Sequence, residues 1–178
     1  AYLAVPQDAH PLLKNKQLIA LDQHVFSSKI FLQVNQFLID EYDELNCIDF
    51  SKVSAVICLP NESFYLKNSV FLQQIKDAIT QEYELSDIAI KAHPKSKNMS
   101  LLADIFPNSI QLPNTLGMEI LLPKLTNDTC IIGDVSTALL TAKWLKPTVS
   151  VRAFELNTAI SKNLKNLFNS LGISFISL

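Results

Sequence analysis

The 178-residue chain is short of cysteine, short of histidine and nearly balanced in charge. Each shortage removes a class of function. Its three cysteines, Cys47, Cys58 and Cys130, are odd in number and widely spaced, with no CxxC pair and no pair of histidines near them. That pattern supports neither a disulfide framework nor a zinc site, and it suits a reducing, intracellular setting. A formal net charge of -2 supplies no global basic field, so nucleic acid is not the expected partner and any anion site has to be local. No apolar run approaches the roughly 20 residues that a bilayer span requires. The amino terminus carries no basic-then-apolar signal pattern, and a soluble protein is expected. Internal repeats and low-complexity segments are also missing. What remains is 48% hydrophobic and 18% charged, the composition of one domain with a dense interior.

Along the chain, short apolar runs alternate with helical periodicity. Strands are expected at 17–22, 54–60, 88–91, 109–113, 129–134, 148–152 and 173–177. A helix over 30–45 would turn Val34, Phe37, Leu38, Tyr42 and Leu45 inward, and one over about 68–83 would bury Phe71, Ile75, Ala78 and Ile79. A short helix, "LGMEILL", is ended by Pro123, and "STALLTAKWLK" reads as a buried helix. In a long final helix Leu156, Ile160, Leu164, Leu167, Phe168 and Leu171 recur at three and four. Strands that are apolar throughout and alternate with helices indicate an α/β fold, a Rossmann-like parallel sheet with helices on both faces.

Such sheets bind ligands beyond the carboxyl ends of their strands. There the stretch "IAIKAHPKSK" (88–97) delivers His93, held extended by Pro94, together with Lys91, Lys95 and Lys97. Three histidines and eight prolines would place a His-Pro pair in a chain of this length well under once by chance, and there are two. His10-Pro11 follows no strand and reads as a simple turn. An imidazole at a strand exit can face a phosphate as a cation or give a proton to a departing one; taken alone, His93 is read equally well as a turn residue. In "CIIGDVSTALLTA" (130–142) a strand and a tight turn at Gly133-Asp134 lead to Ser136 and Thr137 at a helix start. Both are favoured N-caps, and capping alone explains them singly. Hydroxyls beside free N–H groups and a positive dipole end also complete an anion site. Glu119, near the start of another helix, is either a solvated charge or an acceptor for two ribose hydroxyls.

"IAIKAHPK", "LPNTLGMEILL" and "GDVSTALLTA", in this order and at these separations, resemble the carboxyl-terminal, nucleotide-binding half of bacterial sialyltransferases of the GT-B type. The likeness is to glycosyltransferase family 52, which includes lipooligosaccharide sialyltransferases, and to the bacterial polysialyltransferases, and it covers about residues 52–155. The His-Pro pair and the later Ser-Ser/Thr pair are the family signatures. The resemblance implies that His93, with Pro94 behind it, contacts the phosphate of the CMP leaving group and acts as its acid. It places Lys91 against the cytosine, Glu119 on the ribose hydroxyls, and Ser136 and Thr137 on the phosphate oxygens. It further implies CMP-sialic acid as donor with no metal or other cofactor. The acceptor would be a lipooligosaccharide or capsule glycan held by an amino-terminal domain, and the enzyme cytoplasmic, peripheral to the inner face of a bacterial membrane.

The division expected is a CMP-sugar-binding domain over 51–178, preceded by a lead-in or remnant of the other domain over 1–50. The family's general base lies in an acidic-acidic-glycine motif, and no such triplet occurs here. "IDEYDELN" (39–46) supplies carboxylates without the glycine and reads as the exposed end of a helix. The chain is therefore expected to be truncated, binding donor without completing the transfer. Rival expectations are a non-catalytic nucleotide-sugar-binding module, a GT-B enzyme with another nucleotide-linked donor, and a flavodoxin-like partner-binding domain.

Overall fold

Strands with no polar alternation have to be covered on both faces, and three such strands occupy the middle of one sheet. The computed structural model describes residues 22–68, 70–155 and 160–178. Of the expected strand at 17–22 only Asp22 falls among them, and His10-Pro11 and Leu156 lie outside. The sheet contains β1 (Ala55–Cys58), β2 (Ile88–Lys91), β3 (Ile110–Leu112), β4 (Cys130–Gly133), β5 (Ser150–Glu155) and β6 (Ser174–Ser177). Every residue of β1, β2 and β4 is buried, while β3, β5 and β6 toward the edges are partly exposed. The order is β3-β2-β1-β4-β5-β6 and every pairing is parallel.

The period of two divides the strand side chains between two cores. Val56, Cys58, Ala89 and Ile131 face a layer built from α1 (Lys29–Asp40), α2 (Asp43–Asn46), α6 (Met118–Leu121), α7 (Thr137–Leu145) and α8 (Lys162–Ser170). Ile57, Ile88, Ile90 and Ile132 face the opposite layer of α3 (Glu62–Tyr65), α4 (Phe71–Ile79) and α5 (Met99–Ile105). The chain is thus an all-parallel, Rossmann-like α/β fold with helices on both faces. Ile39 and Leu45 belong to the first core, so α1 and α2 pack on the sheet domain.

Helix ends follow local chemistry. Ser28, Asn98 and Ser161 cap α1, α5 and α8 by accepting from the main-chain N–H of Phe31, Leu101 and Leu164. After α8 the chain reverses at Gly172, whose φ of 73° is left-handed, and the Ile173 N–H reaches back to the Phe168 carbonyl at 3.0 Å. That is the geometry of a glycine-terminated helix.

Several helices depart from their expected form. α1 stops at Asp40, with α2 a separate turn, and it buries Asn35 and Ile39 while Val34 and Phe37 stand 49% and 65% exposed. Two tertiary bonds set this rotation: Asn35 donates to the Glu119 carbonyl at 3.4 Å, and the Tyr42 and Thr115 hydroxyls meet at 2.9 Å. α4 is confined to nine residues and buries Phe71, Leu72, Ile75 and Ile79, with Ala78 only partly covered. α6 is confined to Met118–Leu121 and stops just before Pro123, as expected; the proline lies within a following 3-10 turn, Leu122–Lys124, where its missing N–H costs nothing. In α7 only Leu139 and Ala142 are buried, because the helix lies against one layer and open on its other side. α8 begins at Lys162 and buries Phe168 alone, its ring 6.1 Å from that of Phe175, leaving Leu164, Leu167 and Leu171 exposed.

Candidate functional site

Register places the carboxyl ends of three strands in one row: Lys91 is paired with Cys58, and Cys58 with Gly133. From β1 the chain winds outward to β2 and β3, then returns across β1 to β4. The order therefore reverses between β1 and β4, and the crevice outside that pair is where sheets of this kind hold ligands. Gly133 makes the crevice narrow. A Cβ there would stand 2.8 Å from the Cys58 carbonyl oxygen, 2.9 Å from the Cys58 Cβ and 3.4 Å from Leu139 Cδ2. No larger residue allows β1, β4 and the start of α7 to approach so closely.

His93 is fixed within its own turn. Its Nδ1 accepts from the Lys95 N–H at 3.1 Å, and its carbonyl accepts from the Ser96 N–H at 2.8 Å. With Nδ1 acting as acceptor, the neutral imidazole carries its proton on Nε2, an assignment inferred from the heavy-atom pattern. The loop beyond is tied down by Glu62, whose carboxylate accepts from the N–H groups of Lys97 at 2.7 Å and Asn98 at 3.1 Å. Those bonds hold the exposed Glu62 carboxyl below its ordinary value. Asn114 reaches the Ser96 carbonyl at 2.8 Å, joining the loop after β3 to the loop after β2.

Lys91 is only 5% exposed, and its ammonium donates to the carbonyls of Ala92 at 3.2 Å and Asn114 at 2.9 Å. Burial lowers its pKa, against which Cys58 and Glu119 act. Two of its three protons are thus spent on the rim itself. Glu119 is exposed, and its carboxyl folds over Gly117, where a Cβ would come within 2.6 Å of it. It also borders a cavity of about 440 Å³ lined by His24, Phe26, Phe31, Leu122 and Lys146.

At α7 the capping bond is not made. Ser136 occupies the N-cap position in extended conformation, yet its side chain accepts from no first-turn N–H. Its Oγ is buried without a hydrogen-bond partner. Thr137, the first helical residue, is exposed. The first turn of a helix has N–H groups without intrahelical acceptors, so this end presents donors toward the crevice. Asp134, in the turn between β4 and α7, reads in the sequence only as part of a tight turn. Burial pushes its carboxyl up, opposed by the neighbouring Ser136 hydroxyl and by His93. The structure therefore gathers His93, Asp134, Ser136 and Thr137 about the amino end of α7, and sets Glu119 near Lys91 behind them.

Cys58 lies beneath this group, 3.7 Å from the Met118 sulfur. Burial pushes its thiol up to about 12, with Lys91 acting against the shift and Asp134 adding to it. Only thiolates react readily. Of the three free cysteines Cys47 is exposed and Cys58 and Cys130 are buried. A disulfide reagent should label a single thiol in the native protein and all three in denaturant; rapid native labelling of a second thiol would contradict the buried rim.

Among the described residues no group of three or more histidine, cysteine or carboxylate side chains is placed to hold a metal ion. Among them, too, no helix is long and apolar enough to cross a membrane. The arrangement can bind an anion: hydroxyls, an imidazole N–H and helix N–H groups converge, with a carboxyl inside the same cluster. The chain matches no family model, no curated protein and no solved structure.

Proposed function

We propose that the crevice between β1 and β4 holds the nucleotide of CMP-sialic acid, and that the chain is the donor-binding domain, one half of a GT-B fold, of a bacterial sialyltransferase acting on a cell-surface glycan. One observation carries the reading. A serine hydroxyl, buried at an uncapped helix terminus, makes no hydrogen bond of ordinary geometry within the protein, its polar neighbour being the Asp134 carboxyl, and it lies in the same cluster as a histidine whose Nδ1 is already occupied. A buried polar group without a partner is costly, and a phosphate oxygen would remove that cost. In this reading the Ser136 and Thr137 hydroxyls and the α7 N–H groups bind the phosphate. His93, its Nδ1 occupied as an acceptor, donates a hydrogen bond from Nε2 to the leaving phosphate oxygen. Glu119 accepts from the ribose hydroxyls, and Lys91 offers its remaining proton to the base. No acidic-acidic-glycine triplet stands in the chain, so we assign it the donor side of the reaction alone.

CMP or CDP should raise the melting temperature more than UMP or GMP. A ligand at a hundred times its dissociation constant contributes about 2.7 kcal/mol. Absent shifts across the panel would remove the nucleotide site. Equal shifts for all bases would favour a second reading, a nucleotide-sugar-binding module or a transferase with another nucleotide-linked donor. That reading draws on Lys91, which is already bonded to Ala92 and Asn114 and has little left for recognising a base.

A further inference from the structure

We infer that Gly117 makes the crevice select a ribonucleotide over its deoxy counterpart, by leaving open the space in which the Glu119 carboxylate rests. The inference rests on the nucleotide-binding reading above. The main chain at the start of α6 is fixed at three points. The Met118 sulfur lies 3.7 Å from the Cys58 sulfur, where β1 ends. The loop before it is held by Lys91, at the end of β2, through the Asn114 carbonyl at 2.9 Å. On the side of α1, Asn35 donates to the Glu119 carbonyl at 3.4 Å. The Glu119 side chain is free by comparison, and its carboxylate takes part in none of the ion pairs among the described residues.

That carboxylate lies over Gly117. A Cβ on the glycine would stand 2.6 Å from Glu119 Cδ, 2.6 Å from Oε1 and 2.8 Å from Oε2, and these are the three atoms nearest to it. The chain has three glycines, each with its own cause. Gly172 is left-handed at φ 73°, and Gly133 lets the main chain of β1 approach β4. Gly117 meets neither need: its φ of -71° and ψ of 154° are open to every residue, and the place of its side chain is taken by Glu119. An added methyl group would drive the carboxyl from 2.6 Å to at least 3.4 Å, where ordinary contact begins, a shift of about 0.8 Å. A binding group has to be held within about 0.5 Å of its working position. Only so held can the two oxygens of one carboxylate accept from both hydroxyls of a ribose. A 2′-deoxyribose offers one hydroxyl fewer, so the position of Glu119 sets the preference between the two sugars, and Gly117 sets that position.

Titration calorimetry with CMP and 2′-deoxy-CMP tests this on the parent chain, on Gly117→Ala, on Glu119→Ala and on the double variant. The parent should bind CMP at least about tenfold more tightly than the deoxynucleotide, the worth of one hydrogen bond to a charged group. Gly117→Ala should bring that ratio below about threefold while melting no earlier than the parent, since alanine fits this backbone and restricts the unfolded chain. A glycine of merely structural importance would give the reverse, an earlier melt with the ratio kept. In the Glu119→Ala background the same glycine change should alter either affinity by less than about twofold, because the residue through which it acts is gone. A parental ratio in Gly117→Ala overturns the inference, as does an equal effect of the glycine change with and without Glu119. So does failure of Gly117→Ala to fold, which would show that the Cβ meets something less yielding than a side chain. A parent that binds the two nucleotides alike overturns the inference and leaves the nucleotide site standing. Binding of neither by the folded parent overturns the nucleotide reading itself.

Discussion

A chain carrying both Ser136→Ala and Thr137→Ala should bind CMP at least tenfold more weakly than the parent and melt at nearly the same temperature. Hydrogen bonds to a charged group are worth roughly 1.5–3 kcal/mol each, so losing two from a phosphate exceeds a factor of ten. The unaltered melting point is the sharper half of the expectation. Ordinary N-caps contribute about 1 kcal/mol through the side-chain bond to a first-turn N–H. Ser136 makes no such bond, in contrast to Ser28 at α1, so removing its hydroxyl costs the helix no cap. Ser28→Ala is the control that should lose stability without touching CMP. Calorimetry and thermal melting separate the cases: parent-like CMP affinity in the double variant would return Ser136 and Thr137 to a purely structural role.

Gly133→Val should be the most damaging single substitution at the rim. Its Cβ alone would lie 2.8 Å from a carbonyl oxygen of β1 and 2.9 Å from Cys58 Cβ, both held by the sheet. Overpacking usually costs about 1–3 kcal/mol when flexible side chains yield, and here the obstruction includes main chain. A loss of about 3 kcal/mol or more is expected, read as a lower urea midpoint. CMP affinity should fall with it, since β1 and β4 must separate and carry the start of α7 away from His93. A variant with parental stability would show that the two strands are not held in close contact.

The central strands β1, β2 and β4 were legible because nearly every residue in them is apolar, a pattern that two-sided burial accommodates, while β5 and β6 mix polar with apolar residues and lie partly exposed. Their spatial order was not: which strand lies beside β1 depends on how each crossover packs, and no local residue records it. The face of α1 was misjudged for a definite reason. The stripe with Val34 and Phe37 is the more apolar one, while the buried stripe contains Asn35, whose worth lies in a bond to a carbonyl 84 residues away. Long-range bonding also hides the state of Lys91, since Asn114 is remote in sequence. His93, Glu119, Ser136 and Thr137 could be named from residue type and position at strand exits. Whether Ser136 capped its helix could not, because the answer is a rotamer. Asp134 escaped notice because an acid beside glycine reads as turn chemistry; a charge between an apolar strand and a paired hydroxyl was the available signal.

The strand order also bears on how the protein is made. Ala55 of β1 pairs on one side with Ile88 and on the other with Cys130, 75 residues further along (55 to 130). At ribosomal rates of about 5–20 residues per second, β1 waits roughly 4–15 seconds for that second neighbour. During this interval a strand destined for the centre of the sheet has one open apolar edge, the kind of surface that pairs with other chains. Closing so long a loop is slow even after release. A nascent β1–β2–β3 half-sheet therefore has reason to meet a chaperone before β4 arrives, and expression at low temperature or with a holdase present favours the soluble product.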